Sequence, residues 1–99
     1  MDDMKALHEV ARVLADPTRS FMLMSLMDGR TLTAGELALQ SNASPQTASG
    51  HLAQLVKSGL LQVERRGRNR YFKLSGSHVA EFLEAMTRVC AFAESNWGQ

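Results

Sequence analysis

Between Ser44 and Gly59 the chain sets Gln46, Thr47, Ser49, Gly50, His51 and Gln54 on one side of a helical repeat, small or planar groups with almost no charge. Carboxamides and hydroxyls of this kind suit the edges of nucleic-acid bases: an amide pairs with adenine at two points, and a hydroxyl donates or accepts. An ordinary solvated helix would show Glu and Lys there. A polar surface helix that happens to lack charge fits the same residues, so the stretch alone leaves both readings open. The remaining chemistry-bearing residues do not compose an enzyme. His8, His51 and His78 fall on three separate elements, and there is no pattern of paired carboxylates, no nucleophile elbow and no phosphate loop.

The helix that must carry these groups has an explicit start and stop. Ser44 suits the N-cap and Pro45 the first helical position, where its missing N–H costs nothing. Gly59 suits the left-handed residue after the C-terminus. Ala48, Leu52, Leu55 and Val56 then form one apolar stripe for a core.

Upstream, Asp3 is expected to cap a helix running to about Leu14, with Leu7, Val10, Ala11 and Leu14 on its apolar side. Asp16-Pro17 opens a second helix to about Met27, closed by Asp28-Gly29, with Met22, Leu23, Leu26 and Met27 inward. Phe21 and Met24 lie off that stripe. Thr31-Leu32 reads as a short extended segment. Thr33 and Glu36 have capping-box spacing and open a third helix through Leu37 and Ala38, ended by Asn42. A short helix, a tight turn and the Ser44 helix in succession make a helix-turn-helix.

Downstream, the period changes to two. Leu61 to Arg65 and Arg70 to Leu74 alternate around the turn Arg66-Gly67-Arg68-Asn69, predicting a β-hairpin with a basic tip. Ser77 is expected to cap a last helix from about His78 into the 90s. Its stripe is Val79, Phe82, Leu83, Met86, Val89, Cys90 and Ala93, extended by Phe92 and Trp97. Together with the first helix this is more apolar surface than so small a body can cover, which points to an interface, most simply with a second copy. The fold class is therefore mainly α with a small hairpin: a winged helix-turn-helix of about five helices and a two-stranded wing, dimeric, with residues 1–99 forming one domain.

Composition agrees with that reading. The 99 residues are 44% hydrophobic and 21% charged, ordinary for a globular domain. No apolar run approaches the roughly 20 residues that cross a bilayer, and no leader pattern is present, so no membrane partner is expected and the location is read as cytoplasmic. The single cysteine, Cys90, excludes an internal disulfide. Net charge is only +1, but it is divided unevenly. From Gln40 to Ser75, Lys57, Arg65, Arg66, Arg68, Arg70 and Lys73 face the single acid Glu64, a local +5, while the rest of the chain carries −4. Four arginines without an interleaved acid repel one another unless an anion binds.

Several segments, taken in order, resemble the ArsR/SmtB family of bacterial repressors: Ala15-Asp16-Pro17-Thr18-Arg19, Leu32-Thr33-Ala34-Gly35-Glu36-Leu37-Ala38, Ser49-Gly50-His51-Leu52, Ser58-Gly59-Leu60-Leu61, and Arg66-Gly67-Arg68-Asn69-Arg70-Tyr71-Phe72-Lys73-Leu74. The resemblance covers nearly the whole chain. It implies a DNA-binding transcriptional regulator, acting as a repressor, on double-stranded DNA as a homodimer. The implied operator is near-palindromic, with half-sites about one helical turn apart. The helix at about 44–58 would lie in the major groove and the wing at about 61–74 on the backbone or minor groove. DNA-facing candidates are Ser44, Gln46, Thr47, Ser49, Gly50 and Gln54, with His51 near a phosphate and Arg66, Arg68 and Arg70 on the wing. Dimer candidates are Leu7, Val10, Leu14, Phe82, Met86, Val89 and Phe92. The family commonly carries a larger polar residue where this chain has Gly50.

The family's metal ligands do not carry over. Its helix-three site needs cysteines after the Glu-Leu pair, where this chain reads Glu36-Leu37-Ala38-Leu39-Gln40. Its last-helix site keeps only His78 of Gly76-Ser77-His78, with Val89 and Phe92 at the later positions. One imidazole does not hold a transition metal, so no cofactor is implied and the effector is unassigned. Two alternatives stay in view: a metal- or thiol-responsive sensor using His78 and Cys90 across a dimer, and a winged-helix protein-interaction module. The +5 segment favours DNA over the module.

Overall fold

The computed structural model describes residues 3–98. Five helices and three short strands follow in order: α1 (Asp3–Leu14), α2 (Pro17–Ser25), β1 (Leu32–Thr33), α3 (Ala34–Gln40), α4 (Pro45–Lys57), β2 (Leu61–Arg66), β3 (Asn69–Leu74) and α5 (Ser77–Glu94). This is the winged helix-turn-helix architecture that the sequence predicts.

Helix starts follow the cap signals. The Asp16 carboxylate accepts from the backbone N–H groups of Thr18 at 2.8 Å and Arg19 at 3.1 Å. Thr33 and Glu36 complete a reciprocal box: Glu36 N–H donates to the Thr33 hydroxyl, and Thr33 N–H donates to the Glu36 carboxylate at 2.9 Å. That Thr33 N–H, with the threonine side chain, holds the Glu36 carboxyl below its ordinary value of 4.5. A depressed folded-state value adds stability above the unfolded pKa and loses it as pH falls through the folded one. Glu36→Gln should therefore melt below the wild type at pH 7, the gap closing as pH falls below 4.5; thermal melts across that range showing a constant gap would refute the assignment.

Asn42 adopts φ +56° and ends α3, as its position predicts. Gly59 at φ +86° reverses the chain after α4. In the hairpin Gly67 takes φ +60° in a two-residue loop, matching the type II′ turn that suits the twist of the strands.

Several elements differ from expectation. α1 begins at Asp3 itself, and the capping contact expected of its side chain lies outside the described residues. α2 ends at Ser25 and continues as a turn through Asp28. Ser77 lies inside α5; Gly76 is the N-cap residue and no side chain caps the helix. The extended segment expected at Thr31-Leu32 is present as β1, but it also pairs with the hairpin, Leu32 opposite Phe72 and Thr33 opposite Tyr71, so that the expected two strands become a three-stranded antiparallel sheet in the order β1-β3-β2.

The core lies between these layers. Met22 and Leu23 of α2 and Leu26 just after it meet Leu37 of α3, Leu52 and Leu55 of α4, Phe72 of β3 and Leu83 of α5. α1 contributes Val13, which the sequence stripe omitted. The stripe itself, Leu7, Val10, Ala11 and Leu14, lies exposed or half-buried along the outside of the chain.

Candidate nucleic-acid interface

The α4 helix is held by its cap and by its buried face. The Ser44 hydroxyl accepts the Thr47 backbone N–H at 3.1 Å and donates to the Thr47 hydroxyl at 2.9 Å, leaving the Thr47 proton free to donate outward. Such a cap is worth roughly 1 kcal/mol. Ala48, Leu52 and Leu55 are buried, which fixes the rotation of α4. Gln46, Thr47, Ser49, Gly50, Ala53 and Lys57 are then exposed. At about 100° per residue, Gln46, Gly50, Ala53 and Lys57 share the middle of that face. Among the described residues the side chains of Gln46 and Ser49 have no hydrogen-bond partner. The sequence reading did not place Ala53 on this face and counted Lys57 only in the basic segment, although their spacing of 7 and 11 from Gln46 marks the same face; Ala53 offers a methyl surface of the kind that packs on a thymine methyl.

His51 and Gln54 are placed differently. The Gln54 carbonyl oxygen accepts from the Arg12 guanidinium of α1 at 3.0 Å, and Arg12 is also paired with Glu9. His51 is half-buried against the start of α2, its Nδ1 3.2 Å from the Arg19 guanidinium and its Nε2 3.7 Å from Asp16 Oδ1. A guanidinium only donates, so Nδ1 accepts and Nε2 bears the proton facing Asp16. Arg19 in turn donates to the Val13 carbonyl at 2.7 Å and the Arg12 carbonyl at 3.3 Å. The backbone N–H of Arg19, assisted by His51 and Thr18, holds the Asp16 carboxyl below its usual range. These two side chains moor α4 to α1 and α2, while the exposed face is left to the others.

Gly50 has open space around its missing side chain: a Cβ built there meets nothing within 4 Å. Gly50→Ala should therefore raise stability by about 1 kcal/mol, the helix-propensity difference. Denaturant titration showing a loss instead would mean that Cβ is opposed inside the free chain.

On the wing, Glu64 accepts from Arg66 at 3.1 Å, and the Arg66 guanidinium lies 5.1 Å from the Tyr71 ring centre. The hydrogen bond from Arg66 is the main cause holding the Glu64 carboxyl below its ordinary value. The expectation of unpaired arginines is thus corrected at Arg66: side chains two apart on a strand share a face, which lets Glu64 reach it. Arg70 lies 5.7 Å from the Phe72 ring centre. It also lines a groove of about 410 Å³ with Ala34, Gly35, Leu39, Pro45 and Ser49, between wing and helix-turn-helix.

Between α1 and α5, Leu7, Val10, Leu14 and Phe82 meet around an apolar groove of about 460 Å³. Leu7 is 56% exposed and Phe82 40%. Met86 is half-buried against the core, and Val89 and Phe92 continue outward along α5, Phe92 at 74% exposure. His78 and Cys90 are both exposed on α5, twelve positions and so about 18 Å apart along the helix. Among the described residues no three His, Cys, Asp or Glu side chains stand together as a metal site.

Residues 16–63 match the family model described as bacterial regulatory protein, arsR family. The chain is 44% identical over 86 residues to the uncharacterized HTH-type transcriptional regulator YdfF of Bacillus subtilis, covering 87% of this chain and 38% of YdfF. It is 36% identical over 84 residues to the HTH-type transcriptional regulator CmtR of Mycobacterium tuberculosis, covering 85% of this chain and 70% of CmtR. Among solved structures it is similar to the homodimeric winged helix-turn-helix DNA-binding domain, fragment 1–100, of Mb0332 from Mycobacterium bovis. That likeness has a TM-score of 0.85 at 22% identity and covers 97% of this chain and 88% of the other.

Proposed function

Because the chain belongs to the arsR family of bacterial regulatory proteins, we propose that it is a transcriptional repressor that binds a near-palindromic operator as a homodimer. Residues 1–99 act as one winged helix-turn-helix domain in this reading. α4 enters the major groove of each half-site, half-sites lying about one helical turn apart, roughly 34–36 Å. Gln46, Thr47 and Ser49 read base edges, Gly50 and Ala53 allow close approach, and Ser44 lies at the groove edge. Arg68 and Arg70 meet the backbone or minor groove, while Arg66 keeps the wing's shape through Glu64 and Tyr71. The dimer forms through Leu7, Val10, Leu14 and Phe82, with Met86, Val89 and Phe92 extending the contact. No described helix is long and apolar enough to cross a membrane; the cytoplasmic location in this reading rests on the family alone.

The observation that carries the proposal is the exposed face of α4: uncharged except for Lys57 in its last turn, with the Gln46 and Ser49 side chains uncommitted, and next to an arginine-bearing wing. A solvated surface needs no such combination. The direct test selects bound sequences from random duplexes and follows fluorescence anisotropy across salt. Affinity should fall steeply between about 50 and 200 mM salt as phosphate counterions are released, and the selected sites should share a two-fold motif. Salt-independent affinity, or recovery of no common motif, would reject the reading.

A further inference from the structure

The two faces of the wing carry different charge. Strand alternation puts Leu61, Val63 and Arg65 on one face of β2 and Gln62, Glu64 and Arg66 on the other. The register sets Leu61 opposite Leu74, Val63 opposite Phe72 and Arg65 opposite Arg70. Leu61, Phe72 and Leu74 are buried, so Arg65 and Arg70 extend the core-facing side of the hairpin beyond the end of the core. The wing's one acid stands on the opposite face, where it accepts from Arg66 and also feels the charge of Lys73. Among the described residues neither Arg65 nor Arg70 has an acidic partner.

We propose that Arg65 and Arg70 form a cross-strand clamp for one backbone phosphate of the DNA strand that runs between the wing and α4; this rests on the DNA-binding reading above. Residues directly opposite on antiparallel strands hold their Cβ atoms about 4.5–5.5 Å apart, and like charges there are unfavourable until a counter-charge arrives. A phosphate is a fitting counter-charge, because each guanidinium offers a planar fork of donors to its oxygens. Arg70 is already ordered over the Phe72 ring and lines the groove that Ser49 and Pro45 line from the α4 side. The clamp therefore opens toward the reading helix. Sequence alone placed Arg66, with Arg68 and Arg70, on the DNA and left out Arg65; strand parity exchanges Arg65 for Arg66.

The test uses the full chain and a selected operator duplex, measuring the slope of log affinity against log salt. The double variant of Arg65→Gln and Arg70→Gln should reduce the slope by about one, and each single variant by part of that, since the remaining guanidinium still meets the shared phosphate. Lys73→Gln, on the outer face, should leave it unchanged. In the free protein Arg65→Gln should melt no lower than wild type, which excludes misfolding as the cause of a lost slope. An unchanged slope in Arg65→Gln, beside a normal wild type, overturns the clamp and leaves the DNA-binding reading intact. A wild type without salt-dependent binding overturns both. Inorganic phosphate at matched ionic strength forms the other arm. If it raises the wild-type melting temperature but not that of Arg65→Gln, while the duplex slopes of the two agree, the pair is a site for free phosphate and the backbone clamp is wrong.

Discussion

Replacing Gln46 with alanine is expected to relax base preference at one position of each half-site while leaving the salt dependence of binding intact. The side chain stands in the first turn of α4, exposed, and the cap below it is formed by Ser44 and Thr47 without its help. A carboxamide in the major groove can pair with adenine N6 and N7 together, a contact that discriminates by about 1–3 kcal/mol, roughly 5- to 150-fold in relative affinity. Operators altered one base pair at a time should therefore differ strongly for the wild type, and one of those differences should collapse in the variant. Thermal stability should hardly move, because alanine propagates a helix as well as glutamine does. The assignment fails if Gln46→Ala weakens all duplexes alike and flattens the salt slope, the behaviour of a residue bound to the backbone.

What the sequence discloses about this fold is mostly local. Asp16-Pro17, the Thr33–Glu36 box, Ser44-Pro45, Asn42 and the Gly67 turn each depend on groups within four positions, so residue type and spacing suffice to place them. Contacts that depend on distant segments are harder to read. Nothing near Leu32 announces that it pairs with Phe72, and nothing near Gln54 announces Arg12, 42 positions away. The polar type of Gln54 is compatible equally with a base edge and with a guanidinium; only the packing angle of α1 decides. His51 is similar, since a histidine flanking the apolar stripe can turn to solvent or to α2, and Asp16 and Arg19 lie 35 and 32 positions away. Arg66 is a different case. Its bond to Glu64 follows from strand parity alone, a signal that counting net charge overlooks.

α1 shows what periodicity leaves open about a core. Leu7, Val10 and Leu14 repeat as one stripe, of which Val10 and Leu14 pack partly against the core, while the residue wholly inside it is Val13, on another side of the helix. An apolar stripe says that a face is covered, not by what. Here the helix presents two apolar sides: a small one to its own chain and a broad one outward, beside Phe82 of α5. The moorings at Arg12 and Arg19 join this same helix to α4, so the placement of α4 depends on a helix whose outer side is apolar and partly exposed.

The largest effect is expected from Phe82→Asp. At 40% exposure in the single chain, position 82 can direct a carboxylate to solvent, so the fold should persist with near-native helix content. In a dimer paired through this groove the same carboxylate would be buried among Leu7, Val10 and Leu14, and an uncompensated buried charge there costs several kcal/mol. The variant should therefore sediment as a monomer under conditions where the wild type is a dimer. Its DNA binding should fall further than any loss of base contact could cause. Two linked reading helices act at each other's effective concentration, an advantage of about 10²- to 10⁴-fold that separation removes. Affinity for a complete operator should thus drop by at least about 100-fold and approach the affinity for a single half-site. Phe82→Leu, which keeps the face apolar, should preserve both dimer and affinity. Sedimentation equilibrium and anisotropy on the same samples decide the matter: a dimeric Phe82→Asp chain would move the interface elsewhere, and a monomeric one with undiminished operator affinity would mean that the two half-sites are read independently.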